Sequence, residues 1–205
     1  MHLQYYTLDV FTETRFAGNP LAVVMAADAL QSAQMQAIAR EFNLPETVFL
    51  LKSENPAHSA RARIFTPGTE LPFAGHPTIG TAVLLAELRA GNAGRDSEAL
   101  VLLEQKIGSV RVGVRIRAGR CAFAEFDAPK LPETSGDLPA TERLAGALGL
   151  IPSEIGFENH KPAIYTAGVP FAFVPVASMA ALARAVVNMQ HWPHVFTGNV
   201  PQAAY

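Results

Sequence analysis

Between residues 78 and 90 the chain carries Ile79, Ala82, Val83, Leu84, Leu85, Ala86 and Leu88, with only Glu87 and Arg89 charged. Most of these are strong helix formers, and at 3.6 residues per turn the set points to every side of a helix. Pro77 just ahead suits the first turn, where its missing N–H is no loss. A helix that is apolar around its whole circumference has no face to give to water, so other elements must enclose it. Strands dominate the flanking sequence. Strands can wrap a helix only as a curved or closed sheet.

The strand pattern is legible on both sides of that helix. Residues 3–11 alternate apolar and polar side chains, and 21–25 are wholly apolar. Leu30, Met35, Ile38, Ala39 and Phe42 recur at helical spacing, which predicts a helix over 32–42 with Ser32 as N-cap and Asn43-Leu44-Pro45 as its stop. Strands are expected at 47–51 and 60–65, then a loop to His76, the helix over 78–90 and a Gly/Asn/Asp/Ser loop at 91–97. Strands follow at 100–104, 109–117 and 121–126. In the second of these Val110, Val112, Val114 and Ile116 alternate with Arg111, Gly113, Arg115 and Arg117, one face dry and one wet. New organisation starts near Ala128-Pro129-Lys130-Leu131-Pro132. It comprises a short helix over 141–148 ended by Gly149, strands at 163–167 and 171–176, and a helix from Ser178 to about residue 188.

Composition narrows the function classes. With 16 Lys+Arg against 18 Asp+Glu the formal charge is −2, which gives no electrostatic case for nucleic acid or an anionic membrane surface. The one cysteine, Cys121, excludes an internal disulfide and a Cys-only zinc site, and its strand pattern reads as a core thiol. His2, His58, His160, His191 and His194 show no metal spacing, and Pro193 separates the last two. There is no phosphate-binding loop of Walker type and no dinucleotide fingerprint, so no metal or cofactor is expected. The first residues lack the basic and apolar regions of a signal peptide. The uncharged run between Lys161 and Arg184 is broken by Pro162, Gly168, Pro170 and Pro175. A soluble, cytoplasmic protein is expected.

Two places offer chemistry. Gly75-His76-Pro77-Thr78-Ile79-Gly80 opens the apolar helix, and exposed N–H groups there, with the helix dipole behind them, suit a carboxylate or phosphate. Gly75 lets a ligand approach the backbone, Gly80 lets the helix pack closely, and His76 can exchange a proton near neutral pH. The same residues also read as a loop-to-helix junction with a structurally satisfied histidine. Glu46 stands at the entrance of an apolar strand, where partial desolvation would bring its carboxyl toward the range of a proton-transfer group. It also reads as an ordinary solvated acid. Asn19, in Gly18-Asn19-Pro20, could orient a ligand or simply mark a turn, and Glu70 could brace the loop that carries it.

These stretches carry a resemblance. Asp9-Val10-Phe11, Phe16-Ala17-Gly18-Asn19-Pro20-Leu21-Ala22-Val23, Glu41-Phe42-Asn43-Leu44-Pro45-Glu46-Thr47-Val48-Phe49, Phe65-Thr66-Pro67 and Glu70-Leu71-Pro72-Phe73-Ala74-Gly75-His76-Pro77-Thr78-Ile79-Gly80-Thr81-Ala82 are, in order and spacing, similar to the PhzF family of phenazine-biosynthesis-like isomerases. That family is related to diaminopimelate epimerase. The resemblance implies an α+β fold of two similar domains, each a curved, barrel-like sheet around a central helix, here divided as 1–118 and 119–205. It implies a cofactor-independent isomerase in which Glu46 is general acid/base and His76 assists. Asn19, Gly75, Pro77 and Thr78 would bind a small carboxylate-bearing substrate. The related epimerases use two thiols, whereas here Glu46 replaces one and Cys121 matches no equivalent motif. A homodimer is what relatives suggest.

The family's second domain brings an Asp-Pro-Ala-Thr-Gly-Ser-type segment that has no counterpart in this sequence, so the second domain is expected to be incomplete. Two other functions fit the same residues: a non-catalytic, binding or self-associating member of the fold, and an amino-acid epimerase or racemase.

Overall fold

The computed structural model of the chain describes residues 2–91, 96–201 and 203–205. The chain divides into two compact units, Met1–Pro129 and Lys130–Tyr205. The division comes later than the 118/119 boundary expected from the sequence. The strand ending at Phe126 pairs with its neighbour in the first sheet and stays with it.

The first unit contains, in order, β1 (Tyr5–Val10), β2 (Asn19–Val24), α1 (Ser32–Phe42), β3 (Glu46–Leu51), β4 (Ala60–Phe65), β5 (Glu70–Leu71), α2 (Gly75–Ala90), β6 (Ser97–Gln105), β7 (Gly108–Ile116) and β8 (Phe123–Phe126). One sheet runs β1-β2-β3-β4-β6-β7-β8, with β5 attached to β4. β2 and β3 are parallel, joined by α1 as the crossover that parallel strands require. α2 packs against both β1 and β8, the two ends of the sheet path, as well as β2, β3, β6 and β7. A sheet whose opposite ends touch one helix must curl around it. The enclosure expected from the apolar circumference of 78–90 is what forms.

Alternation decides which side chains meet that helix. Leu21 and Val23 of β2, Val48 and Leu50 of β3, Val101 and Leu103 of β6, and Val110, Val112 and Val114 of β7 form one buried cluster with Ala82, Leu84, Leu85 and Ala86 of α2. Each fully buried Leu or Val contributes about 1.5–3 kcal/mol relative to an exposed one. Gly80 is set by contact. A Cβ there would lie 2.7 Å from both Leu21 Cδ2 and Val10 Cγ2. On the outer face, α1 buries Met35 and Ala39 against Phe49 and Phe65.

Several boundaries differ from expectation for local reasons. Gln31, not Ser32, caps α1, with the Gln34 side chain accepting the Gln31 N–H at 2.9 Å. The Ser32 hydroxyl instead accepts from Arg63 at 2.9 Å. Asn43 ends α1 in the left-handed conformation, φ 52°. α2 starts three residues before 78, at Gly75. Of the loop expected at 91–97, residues 92–95 lie outside the described residues. Cys121 precedes the paired part of β8 and is exposed rather than a core thiol.

The second unit holds β9 (Glu133–Thr134), α3 (Thr141–Ala147), β10 (Ala163–Thr166), β11 (Pro170–Phe173), α4 (Met179–Arg184) and α5 (Trp192–Val195). Its sheet runs β11-β10-β9, and a core of Leu144, Ala147, Ala172, Val174, Val195 and Phe196 lies beneath. The expected helix to residue 188 stops at Arg184, whose successors Val186 and Asn188 donate backbone bonds to Leu148 and Ala147. No described helix of either unit is long and apolar enough to cross a membrane.

Candidate functional site

Three chain segments begin at the same end of the curled sheet. β2 and β3 run parallel with Leu21 opposite Glu46, which places Asn19 and Pro20 just beyond Glu46 on the neighbouring strand. Asn19 shares the inward register of Leu21 and Val23, and Glu46 that of Val48 and Leu50. The start of α2 enters the same mouth, because His76 Nδ1 lies 3.1 Å from Glu46 Oε2.

This pair is mostly desolvated. The side chain of His76 is 8% exposed and that of Glu46 17%. The two atoms approach without the alignment of a full hydrogen bond, and Glu46 Oε2 and His76 Nε2 find no other partner among the described residues. Burial pushes the Glu46 carboxyl above its ordinary value. Burial likewise pushes the His76 imidazole down, opposed by the nearby Pro20 carbonyl, which favours the protonated ring. Both shifts act against charge, favouring the neutral carboxyl and the neutral imidazole. A carboxyl raised in this way lies nearer the range useful for proton transfer than a solvated one.

The helix start beside them is uncapped by any side chain. The N-cap residue is Ala74, whose side chain has no acceptor to offer the Gly75 and His76 N–H groups. Phe126 stands over the backbone at Gly75, where an added Cβ would meet its ring at 3.7 Å, and Phe73 packs edge-on to Phe126 at 5.6 Å between centroids. The mouth thus combines N–H donors with an aromatic wall. The loop leading in is braced as the sequence suggests for Glu70, which accepts from Arg63 at 2.7 and 2.8 Å. Arg63 in turn holds the Glu70 carboxyl below its ordinary value.

Four of the sequence candidates, Asn19, Glu46, Gly75 and His76, therefore converge. Pro77 and Thr78 are placed differently, both buried in the first turn of α2. The Thr78 hydroxyl donates to the Ala74 carbonyl at 2.7 Å and accepts from Gln105 Nε2 at 2.8 Å. Gln105 and the Pro20 carbonyl were not singled out by sequence. Gln105 had a signal: it is the polar residue in the inward register of Val101 and Leu103. Among the described residues no three His, Cys, Asp or Glu side chains gather as metal ligands.

Comparison with known proteins follows the same outline. The model of the phenazine biosynthesis-like protein family, PhzC-PhzF, matches residues 8–203. An uncharacterised isomerase of Mesorhizobium japonicum is 52% identical over 188 residues, 92% of this chain and 61% of that protein. The trans-2,3-dihydro-3-hydroxyanthranilate isomerase of Pseudomonas chlororaphis is 40% identical over 182 residues, 89% of this chain and 60% of its own. A solved structure from Pseudomonas aeruginosa, described as a predicted epimerase, superposes with TM-score 0.77 at 38% identity, covering 91% of this chain and 64% of that one. The α+β, diaminopimelate epimerase-like fold expected from the sequence is the fold observed. The chain spans about three fifths of the length of the curated relatives it matches.

Proposed function

Because the chain belongs to the phenazine biosynthesis-like protein family, we propose that it is a cofactor-independent isomerase that moves a proton on a small carboxylate-bearing metabolite. Glu46, as carboxylate, removes a proton from one carbon of the substrate. The electron pair of that C–H bond becomes part of a shifted double bond, and the protonated Glu46 delivers the proton to a different carbon. His76 holds Glu46 in place and shares its proton, and the Gly75 and His76 N–H groups hold the substrate carboxylate, which Asn19 orients. Pro77 and Thr78 form the first turn of α2 and serve the site by shaping it. The observation that carries this reading is the mostly desolvated Glu46, 3.1 Å from His76 at the uncapped start of a buried helix.

The P. chlororaphis relative's name supplies the first substrate to try, trans-2,3-dihydro-3-hydroxyanthranilate. Its conversion, followed by NMR, is expected to fall by about 10²–10⁴-fold in Glu46→Gln, the usual contribution of a positioned acid/base. Conversion by the variant at the wild-type rate would remove Glu46 from the chemistry. An epimerase or racemase would instead invert one centre and leave the double bonds unmoved. Self-association is supported separately by the second unit, where Met179, Leu182, Val186 and Met189 are exposed. Sedimentation velocity reads it: a homodimer is expected, and a concentration-independent monomer argues against it.

A further inference from the structure

The tip of the β6–β7 hairpin reaches the segment that leads into α2. Ile107 donates its N–H to the Pro72 carbonyl at 3.1 Å, and Gln105 donates through Nε2 to Thr78 Oγ1 at 2.8 Å. Gln105 is 8% exposed, and its Oε1 has no hydrogen-bond partner among the described residues. A buried amide with one satisfied end is held for its orientation. The orientation is dictated by Thr78. Its Oγ1 is 2.7 Å from the Ala74 carbonyl oxygen, a separation that requires a proton between them, so the hydroxyl donates to Ala74. Its oxygen is then left to accept, and only the NH₂ end of Gln105 can donate to it.

The Ala74 carbonyl and the Gly75 N–H belong to one rigid peptide plane and point in opposite directions. Fixing the carbonyl therefore aims the N–H. We propose that Gln105 is a positioning residue that, through Thr78 and the Ala74 carbonyl, aims the Gly75 N–H out of the helix start toward the carboxylate of the substrate. The carboxylate end of this inference rests on the function proposed above. The aiming itself does not. A preformed donor binds without first losing orientational freedom, which is where the affinity gain arises.

Gln105→Glu is the discriminating change. It is nearly isosteric but, once ionised, can only accept, so the Thr78 hydroxyl must turn to the new carboxylate and leave the Ala74 carbonyl to the longer bond from the Thr78 N–H, 3.3 Å, alone. Thr78→Val removes the hydroxyl at constant shape, and Thr78→Ser keeps it. Residual dipolar couplings of backbone N–H groups in the unliganded protein read the peptide plane directly. The Gly75 coupling is expected to change in Gln105→Glu and Thr78→Val, with β2, β3 and β6 unchanged, and to return in Thr78→Ser. Titration with anthranilate, a small aromatic carboxylate, is expected to shift the Gly75 and His76 amides of the wild type, with affinity about tenfold lower in the first two variants. If Gln105→Glu does not fold, Thr78→Val decides. A Gly75 coupling that stays at its wild-type value overturns the positioning role. A changed coupling with no anthranilate effect on the wild-type amides keeps the positioning role and overturns the carboxylate site.

Discussion

Replacing Gly80 by alanine tests whether α2 is gripped as described. The new Cβ would lie 2.7 Å from Leu21 Cδ2 and 2.7 Å from Val10 Cγ2. Carbon atoms rest at about 3.5–4.0 Å, so two contacts are each short by about 1 Å. Neither neighbour is free to retreat, because Leu21 is 0% and Val10 5% exposed, and a β-branched valine has few rotamers to choose from. Overpacking costs about 1–3 kcal/mol, and two short contacts at one site place it in the upper part of that range, about 2–3 kcal/mol. Alanine returns about 1 kcal/mol of helix propensity, and with two neighbours displaced the net loss is expected at about 1–2 kcal/mol. For a unit of this size that lowers Tm by about 3–10 °C, readable by differential scanning calorimetry. Gly113→Ala is the control. Its Cβ would meet nothing closer than Glu125 O at 3.9 Å, on the wet face of β7, so Tm is expected to hold or rise slightly. A Gly80→Ala protein as stable as the control would refute the enclosure of α2 by β1 and β2.

Glu46→Gln is expected to change stability as well as chemistry, with a sign set by burial. The folded-state value of Glu46 is raised above its ordinary 4.5, so its proton stabilises the fold fully below pH 4.5 and that contribution is lost as pH rises through the folded value. His76 is shifted the other way: its contribution is present above its ordinary 6.5 and lost as pH falls through the lowered folded value. The Tm of Glu46→Gln relative to wild type should therefore climb from pH 4 to pH 8, and a flat difference would contradict the desolvation. On the outer face, Phe49→Ala empties a fully buried position against Phe65, whose ring centroid is 5.4 Å away. Denaturant unfolding is expected to show a loss of about 3–5 kcal/mol, and a loss below about 1 kcal/mol would contradict the packing of α1 on the sheet. Asn43→Gly at the left-handed end of α1 should leave Tm unchanged or slightly raised, since glycine adopts φ 52° freely. A clear drop would mean that the Asn43 side chain, not its backbone, ends the helix.

The fold was legible where one physical demand dominated. The apolar circumference around Val83 and Leu84 required enclosure, and the alternation Val110, Val112, Val114 named the wall that supplies it. Boundaries were less legible where several solutions satisfy the same rule. The first four N–H groups of a helix have no internal acceptor, so Pro77 is compatible with a start at Gly75 as well as one nearer Thr78. Ser32 has the chemistry of a cap, yet Arg63, distant in sequence, engages its hydroxyl. Cys121 continues the alternation of Phe123 but lies before the pairing begins, and alternation alone does not reveal where a partner strand stops. At the site, Glu46 and His76 were visible as residue types at element starts. Their 3.1 Å approach depends on the start of α2 meeting the start of β3, which no local pattern states. The second partner of the Thr78 hydroxyl, Gln105, is brought near only by the hairpin, 27 residues on.

In the proposed reaction Glu46 carries a proton between two carbons of a carboxylate substrate. The most direct test is deuterium uptake in D₂O. Wild type, Glu46→Gln and Glu46→Asp are incubated with trans-2,3-dihydro-3-hydroxyanthranilate, and each carbon is followed by NMR. A protonated Glu46 that exchanges with solvent before returning its proton places deuterium at the receiving carbon, so the wild type is expected to take up label there, Glu46→Asp to do so slowly, and Glu46→Gln not at all. Equal deuterium uptake by Glu46→Gln and wild type would contradict the account.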